Sequence, residues 1–317
     1  MKGKRFTIAC LAAAALAASM GVNAGQKKIV LLNGIAGDPM YITMTCGAQD
    51  VAKKHGYAFD AQGPQKWDAA MQRPILDSII ASKPAGIIVV PTDDTALTRA
   101  MKQAKQDGIK IVLADTSTKD LSFASSFVTS DDAAIGLAAY ETLKKLAPQG
   151  GSVLSLGAAP GVSTSDGRVA AFRKAVAADP KYKDVGVQYA QTDTTRANQV
   201  VSSALQRNPN IVGIFSVDAL TADGAAAAVR QAGTANKVQI ISVDASPNQV
   251  AAVREGTQQG LIAQEPYVIG TQAAEQLIAA IEGKPTKARV DTGTVVITKA
   301  NVDTPEGKAG AYLSACK

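Results

Sequence analysis

The chain has 317 residues, 46% of them apolar and 19% charged, with a formal net charge of +6. That composition excludes a disordered or fibrous chain, and the length points to two domains of ordinary size. Three cysteines are too few for a disulfide-built scaffold, and a single histidine leaves no partner for a metal cluster or for histidine-based catalysis.

Lys2, Lys4 and Arg5 precede the apolar run Phe6–Met20, and Val22-Asn23-Ala24 then places small residues at −3 and −1 before Gly25. This is the layout of a secretory signal peptide, residues 1–24, cleaved after Ala24. The run is shorter than the roughly 20 residues that span a bilayer. Cys10 sits too early for a lipid-attachment site. Cleavage lowers the formal charge to +3, too weak and too scattered to argue for nucleic acid. The exported chain keeps Cys46 and Cys316, which either pair in an oxidising compartment or remain two free thiols.

From Lys28 onward the chain alternates short β-branched runs with helical spacings. Lys28–Asn33 reads as a strand, Tyr41–His55 as a helix, Tyr57–Ala61 as a strand, and Ala69–Ser82 as a helix. Gly86–Val90, Lys110–Asp115 and Ser125–Thr129 are further strands, with Ala96–Gln106 helical and Ala133–Leu146 opening a second series. That series has strands at Ser152–Leu156, Val185–Tyr189, Ile211–Ser216, Val238–Val243 and Leu261–Gln264. Its helices lie near Arg168–Ala178, Ala197–Gln206, Ala222–Gln231 and Ile269–Ile281, and Lys287–Thr298 is extended. The pattern is that of an α/β protein with two parallel sheets. No linker separates the halves, so two lobes joined by crossing strands are expected.

Ligands of open parallel sheets bind beyond the carboxyl ends of the strands. Asn33, Asp38, Asp93, Asp94, Asp115, Asp193, Asp218 and Asp244 fall there. Each aspartate alone is explained as a helix cap. The endings VLAD, FSVD and ISVD, recurring in both halves, favour a shared polar cleft. His55 ends a helix, where the dipole suits it. Gly157-Ala158-Ala159-Pro160-Gly161 lacks the lysine of a phosphate-binding loop, and no dinucleotide fingerprint follows a strand. No cofactor and no metal are expected, and no enzyme.

These stretches, among them GDPMYITMTCGAQDVAKKHGY, GIIVVPTDD, GIKIVLADT, APGVSTSDGRVAAF, IFSVDALTADGA, ISVDASPNQVAAV and LIAQEPYVIG, resemble in order and spacing the periplasmic solute-binding proteins of the ribose-binding type. The resemblance runs from Lys28 to Ala300. It implies the type I periplasmic binding fold: two Rossmann-like lobes, three hinge crossings, and a ligand trapped by closure. Lobe 1 is expected over 25–129 and 265–292, lobe 2 over 130–264 and 293–317, with crossings near Ser130, Gln264 and Asp291–Val296. It also implies a sugar or polyol ligand, an ABC transporter permease as partner, a chemoreceptor as a further one, a monomer, and a periplasmic location.

The resemblance also implies a ligand set. Where ribose binders carry a polar residue, proline and two aromatics after the first strand, this chain has Asp38, Pro39, Met40 and Tyr41. Their Asp-Arg pair becomes Asp115-Thr116, and an arginine ahead of the R-x-x-x-F stretch becomes Asp166, followed by Arg168 and Phe172. A rim aromatic becomes Thr194, a strand-end asparagine becomes Asp218, and an aspartate and a hinge glutamine are kept as Asp244 and Gln264. Asn33 completes the expected set, with Trp67 and Arg168 as further candidates. Two arginines lost and two carboxylates gained make an acceptor-rich cleft, suited to a ligand rich in O–H or N–H donors. A neutral sugar or polyol is the favoured reading. An amino-bearing or signalling solute is the alternative, and an exported hydrolase lacks a visible nucleophile and base.

Overall fold

The computed structural model describes residues 26–316; the expected signal peptide lies outside the described residues. The first series comprises β1 (Lys28–Leu32), α1 (Pro39–Lys54), β2 (Ala58–Gln62), α2 (Ala69–Ala81), β3 (Gly86–Val89), α3 (Thr98–Gln106), β4 (Lys110–Ala114) and β5 (Ser126–Ser130). The second comprises α4 (Asp132–Leu146), β6 (Gly151–Gly157), α5 (Ser163–Ala177), β7 (Tyr182–Tyr189), α6 (Thr194–Arg207), β8 (Ile211–Ser216), α7 (Ala219–Gln231), β9 (Gln239–Val243), α8 (Pro247–Glu255) and β10 (Gly260–Gln264). The chain ends with α9 (Pro266–Ile281), β11 (Arg289–Thr292), β12 (Thr294–Thr298) and α10 (Pro305–Ala309).

Two six-stranded sheets result, ordered β11-β5-β4-β3-β1-β2 and β12-β10-β9-β8-β6-β7. All pairings are parallel except that of β12 with β10. The strands read as continuous apolar runs because both faces are covered. In the first sheet Ile29, Leu31, Ile88 and Val112 pack toward α1 and α9, while Val30, Leu32, Ile87 and Ile111 pack toward α2 and α3. α1 and α9 approach closely because their contact is glycine. A Cβ on Gly47 would lie 2.2 Å from Tyr267 O, and one on Gly270 2.0 Å from Met44 O.

In each sheet the strand order reverses beside the first strand of its series, opening a crevice at the carboxyl edge. The chain passes between sheets after Ser130, after Gln264, and at Gly293. The three passages are bonded to one another. Ser130 Oγ donates to Gln264 Oε1 at 3.1 Å and lies 3.4 Å from Thr292 Oγ1, and Gly293 N–H donates to Glu265 Oε2 at 2.8 Å. The extended reading of Lys287–Thr298 therefore divides at Gly293 into two strands of different sheets. α10 is a short helix that apolar spacing does not signal. Thr304 caps it and Pro305 starts it.

Candidate functional site

The carboxyl edges of the two sheets face each other across a cavity that offers about 60 Å³ to the centres of water-sized atoms. That is room for a few waters or one small solute. Its walls take Asp38, Met40, Tyr41, Trp67 and Asp115 from the first lobe and Arg168, Asp218 and Asp244 from the second, with Gln264 at the crossing.

The aspartates reach the cavity by two routes. Asp38 and Asp218 are N-caps of α1 and α7, accepting from Met40 N–H and Thr221 N–H at 2.8 Å each, and both also line the cavity. Capping and lining are here one geometry, because these helix N-termini point at the ligand space. Asp115 and Asp244 cap no helix. They follow β4 and β9 directly, with φ of 60° and 80°. Non-glycine residues seldom adopt this left-handed region, although aspartate does so more readily than most, and such conformations cluster at ligand clamps. Thr129 Oγ1 fixes the first by donating to Asp115 O at 2.6 Å.

Asp115 and Asp244 are buried, as are Arg168 and Gln264. Tyr41 O–H donates to Asp115 Oδ2 at 3.0 Å, while Asp115 Oδ1 has no hydrogen-bond partner among the described residues and lies 3.9 Å from Arg168 Nη2. Gln264 Nε2 donates to Asp244 Oδ1 at 2.9 Å, and its Oε1 accepts from Arg168 Nη2 at 2.9 Å. Arg168 is further held by Asp132 Oδ1 at 2.9 Å and Val217 O at 3.1 Å. The guanidinium stays charged: burial opposes its charge, but Asp132, Asp115 and Asp244 outweigh burial.

The carboxylates carry the cost of this crowding. Burial, then the charges of Asp244 and Asp218, pushes Asp38 up to about 7. Burial raises Asp115 to about 6 against the pull of Arg168, and raises Asp218 to about 6. Asp244 is raised as well, chiefly by burial. Among the described residues no group of histidine, cysteine, aspartate or glutamate is arranged to hold a metal ion.

The apolar side is built around Trp67. Its ring stacks on Tyr41 with centroids 6.3 Å apart, and it packs against the cores of both lobes. The ring fits because position 34 is glycine: a Cβ there would lie 2.3 Å from Trp67 Cζ3. Trp67 Nε1 is buried without a partner among the described residues. The lobes touch above the cavity, where Ser117 N–H donates to Ser163 Oγ at 2.9 Å.

Four residues expected in the set lie outside this cavity. Asn33 is buried directly after β1, its Nδ2 donating to Thr45 Oγ1 at 3.3 Å. Thr116 turns its hydroxyl away to Pro91 O at 2.6 Å. Asp166 is exposed and accepts from Gly161 N–H at 2.9 Å. It lies two residues before Arg168 in α5, about 200° around the helix, so only one of the two can face the cleft. Arg168 does. Thr194 opens α6 on the exposed rim, and Thr192 lines the cavity instead, brought there by left-handed backbone at Gln191 and Thr192. The sequence reading missed Tyr312, which meets Asp244 from the C-terminal tail and carried no local signal.

Residues 29–285 match the periplasmic binding protein domain family. The chain belongs to that family. This periplasmic binding protein is 28% identical over 290 residues to the ribose import binding protein of Salmonella typhimurium, an alignment covering 91% of this chain and 97% of that one. It is 29% identical over 269 residues to the D-allose-binding periplasmic protein of Escherichia coli, covering 81% and 85%. Its fold matches an ABC transporter solute-binding protein of Agrobacterium vitis bound with α-D-tagatopyranose, with a TM-score of 0.88 and 30% identity over 91% of this chain and all of that one. A second solute-binding protein of that organism, with bound D-fucose, gives 0.85 and 26% over 90% of this chain. These relatives are transport binding proteins, and their ligands are sugars.

Proposed function

We propose that the protein is the solute-binding component of an ABC importer, exported to the periplasm with removal of residues 1–24, and that it carries a neutral sugar or polyol to a membrane permease without catalysis. One observation carries the ligand class. Asp115 Oδ1 is a buried acceptor and Trp67 Nε1 a buried donor, both in residues of the cavity wall and both without a partner among the described residues. A hydroxyl both donates and accepts, so a polyol satisfies the two kinds of group together. The Tyr41–Trp67 stack supplies an apolar face for sugar C–H groups. The lobes, 25–129 with 265–292 and 130–264 with 293–317, close about the three bonded crossings.

A second reading rests on the surplus of acid. Asp38, Asp115, Asp218 and Asp244 face one arginine that is already engaged by three acceptors. An amino-bearing solute would relieve that surplus. A thermal-shift screen of D-ribose, D-allose, D-tagatose, D-fucose, linear polyols and amino sugars decides between them, because ligands of the native state raise its melting point. Neutral sugars or polyols raising it, with no dependence on salt, is the expected result. Stabilisation by amines alone, weakening as ionic strength rises, overturns the neutral reading.

A further inference from the structure

After α10 the chain does not end on the second lobe. It returns across the hinge as a strap. Tyr312 N–H donates to Ala245 O at 2.9 Å, beside Asp244. The Tyr312 hydroxyl donates to Asp244 Oδ1 at 3.1 Å and accepts from Gln264 N–H at 3.0 Å. The next residue crosses to the first lobe, where Leu313 N–H donates to Thr43 Oγ1 of α1 at 2.7 Å. Cys316 then bonds to Cys46 of the same helix, across a sequence separation of 270 residues. α1 is also the helix that presents Asp38, Met40 and Tyr41 to the cavity.

The disulfide is therefore a fourth covalent connection between the lobes, beside the three main-chain crossings. The strap that ends in it also carries Tyr312, whose side chain bonds to two residues of the cavity wall. Tyr312 is buried, and its hydroxyl joins Asp244 to the backbone of Gln264, two residues of the ligand cavity, without lining that cavity itself. Asp244 needs such support. Its backbone is left-handed, and burial favours the protonated carboxyl, while the tyrosine and glutamine hydrogen bonds favour the ionised one. The strap beyond Leu313 is exposed, so the disulfide holds it where few other contacts do.

We propose that Tyr312 is a positioning residue that fixes Asp244 and Gln264 for ligand, and that the Cys46–Cys316 bond acts on ligand affinity through Tyr312 by pinning the strap to α1. The affinity arm rests on the sugar-binding reading above; the titration arm does not. In Tyr312→Phe the packing ring is kept and the hydroxyl lost. The carboxyl carbon of Asp244, followed by NMR in the ligand-free protein, should then titrate at higher pH than in the wild type, and the Gln264 amide should exchange faster while the other amides of β10 do not. An unchanged Asp244 titration overturns the positioning role whether or not any sugar binds.

D-tagatose and D-ribose are the probes for the second arm, used in calorimetry on the full exported chain. Tyr312→Phe should weaken binding of a responding sugar about tenfold, the loss of one hydrogen bond to a charged group. Cys316→Ser should weaken it by a smaller factor, and the double variant should bind no worse than Tyr312→Phe alone. Losses that multiply in the double variant would show that the disulfide acts independently of Tyr312, and would overturn the coupling. If no neutral sugar or polyol of the thermal-shift screen binds while the Asp244 titration moves, the ligand reading fails and the positioning role stands.

Discussion

Asp115 and Asp244 stand at matching positions in the two lobes. Each follows the strand third from the sheet edge, β4 or β9, and each continues the ladder by one bond, Asp115 N–H to Val128 O at 2.8 Å and Asp244 N–H to Ile262 O at 3.1 Å. Both then turn left-handed, so both carboxylates leave the strand end toward the same space. Arg168 and Gln264 lie between them. One is 3.9 Å from Asp115, the other 2.9 Å from Asp244, and the two are joined to each other. The bridge spans the lobes, since Asp115 belongs to the first and Arg168 and Asp244 to the second.

Asp115→Ala removes the acceptor with the free buried oxygen. Ligand affinity should fall about 10- to 150-fold, the range for hydrogen bonds to a charged group. Calorimetry on the variant checks it, and wild-type affinity would remove Asp115 from the site.

Asp166→Ala and Thr194→Ala should change affinity by less than about twofold, since both side chains lie outside the cavity and exposed substitutions have small effects. Arg168→Ala should behave oppositely. It leaves the half-buried Asp132 and the buried Asp115 without their cation, which costs about 3–5 kcal/mol of stability in denaturant titration. A large affinity loss in Asp166→Ala would restore that residue to the ligand set.

With the lobes closed, so that Asp38, Asp115 and Asp218 share one buried cavity, the protein should be more stable near pH 5 than near pH 8. Asp38, Asp115, Asp132 and Asp218 bind protons more readily folded, at about 6 to 7, than unfolded, at 3.8. Stability from such groups is present below about pH 4 and is lost as pH rises through their folded values, at up to about 1.4 kcal/mol per pH unit for each. Exposed acids held low by their partners, such as Asp120 beside Lys102, act at still lower pH. Asp38→Asn should flatten the profile between pH 5 and 7. A melting point that rises steadily from pH 5 to 8 would contradict the account.

Sugar acids and sugar phosphates should not bind. The cavity presents four aspartates and one engaged arginine, and a ligand anion would meet Coulomb repulsion in a poorly screened site. Tight binding of a uronic acid in a competition assay would show that the aspartates are neutral enough to donate.

The fold was legible because alternation of buried strands and helices is a local signal repeated eight times over. The strand-end aspartates were legible for the same reason: a carboxylate closing an apolar run falls at the sheet edge where ligands bind. Helix phase was the weaker part. Asp166 and Arg168 share a helix turn, and only packing of α5 on the second sheet decides which faces inward. Thr116 follows a left-handed Asp115, and that single dihedral sends its hydroxyl to Pro91 rather than to the cleft. Tyr312 was invisible, because its role depends on a tail folding back across 68 residues of sequence to Asp244, which no spacing encodes.

The central claim is that a neutral sugar or polyol binds between Asp115 and Asp244 and holds the lobes closed. Small-angle scattering on the wild type and Asp244→Ala, with and without a saturating sugar chosen by the thermal-shift screen, tests it most directly. The account predicts that sugar lowers the radius of gyration of the wild type toward the closed form, in which Ser117 and Ser163 are bonded, and leaves Asp244→Ala unchanged at the same concentration. A wild-type radius that does not change at full occupancy, or an equal contraction in both proteins, would contradict it.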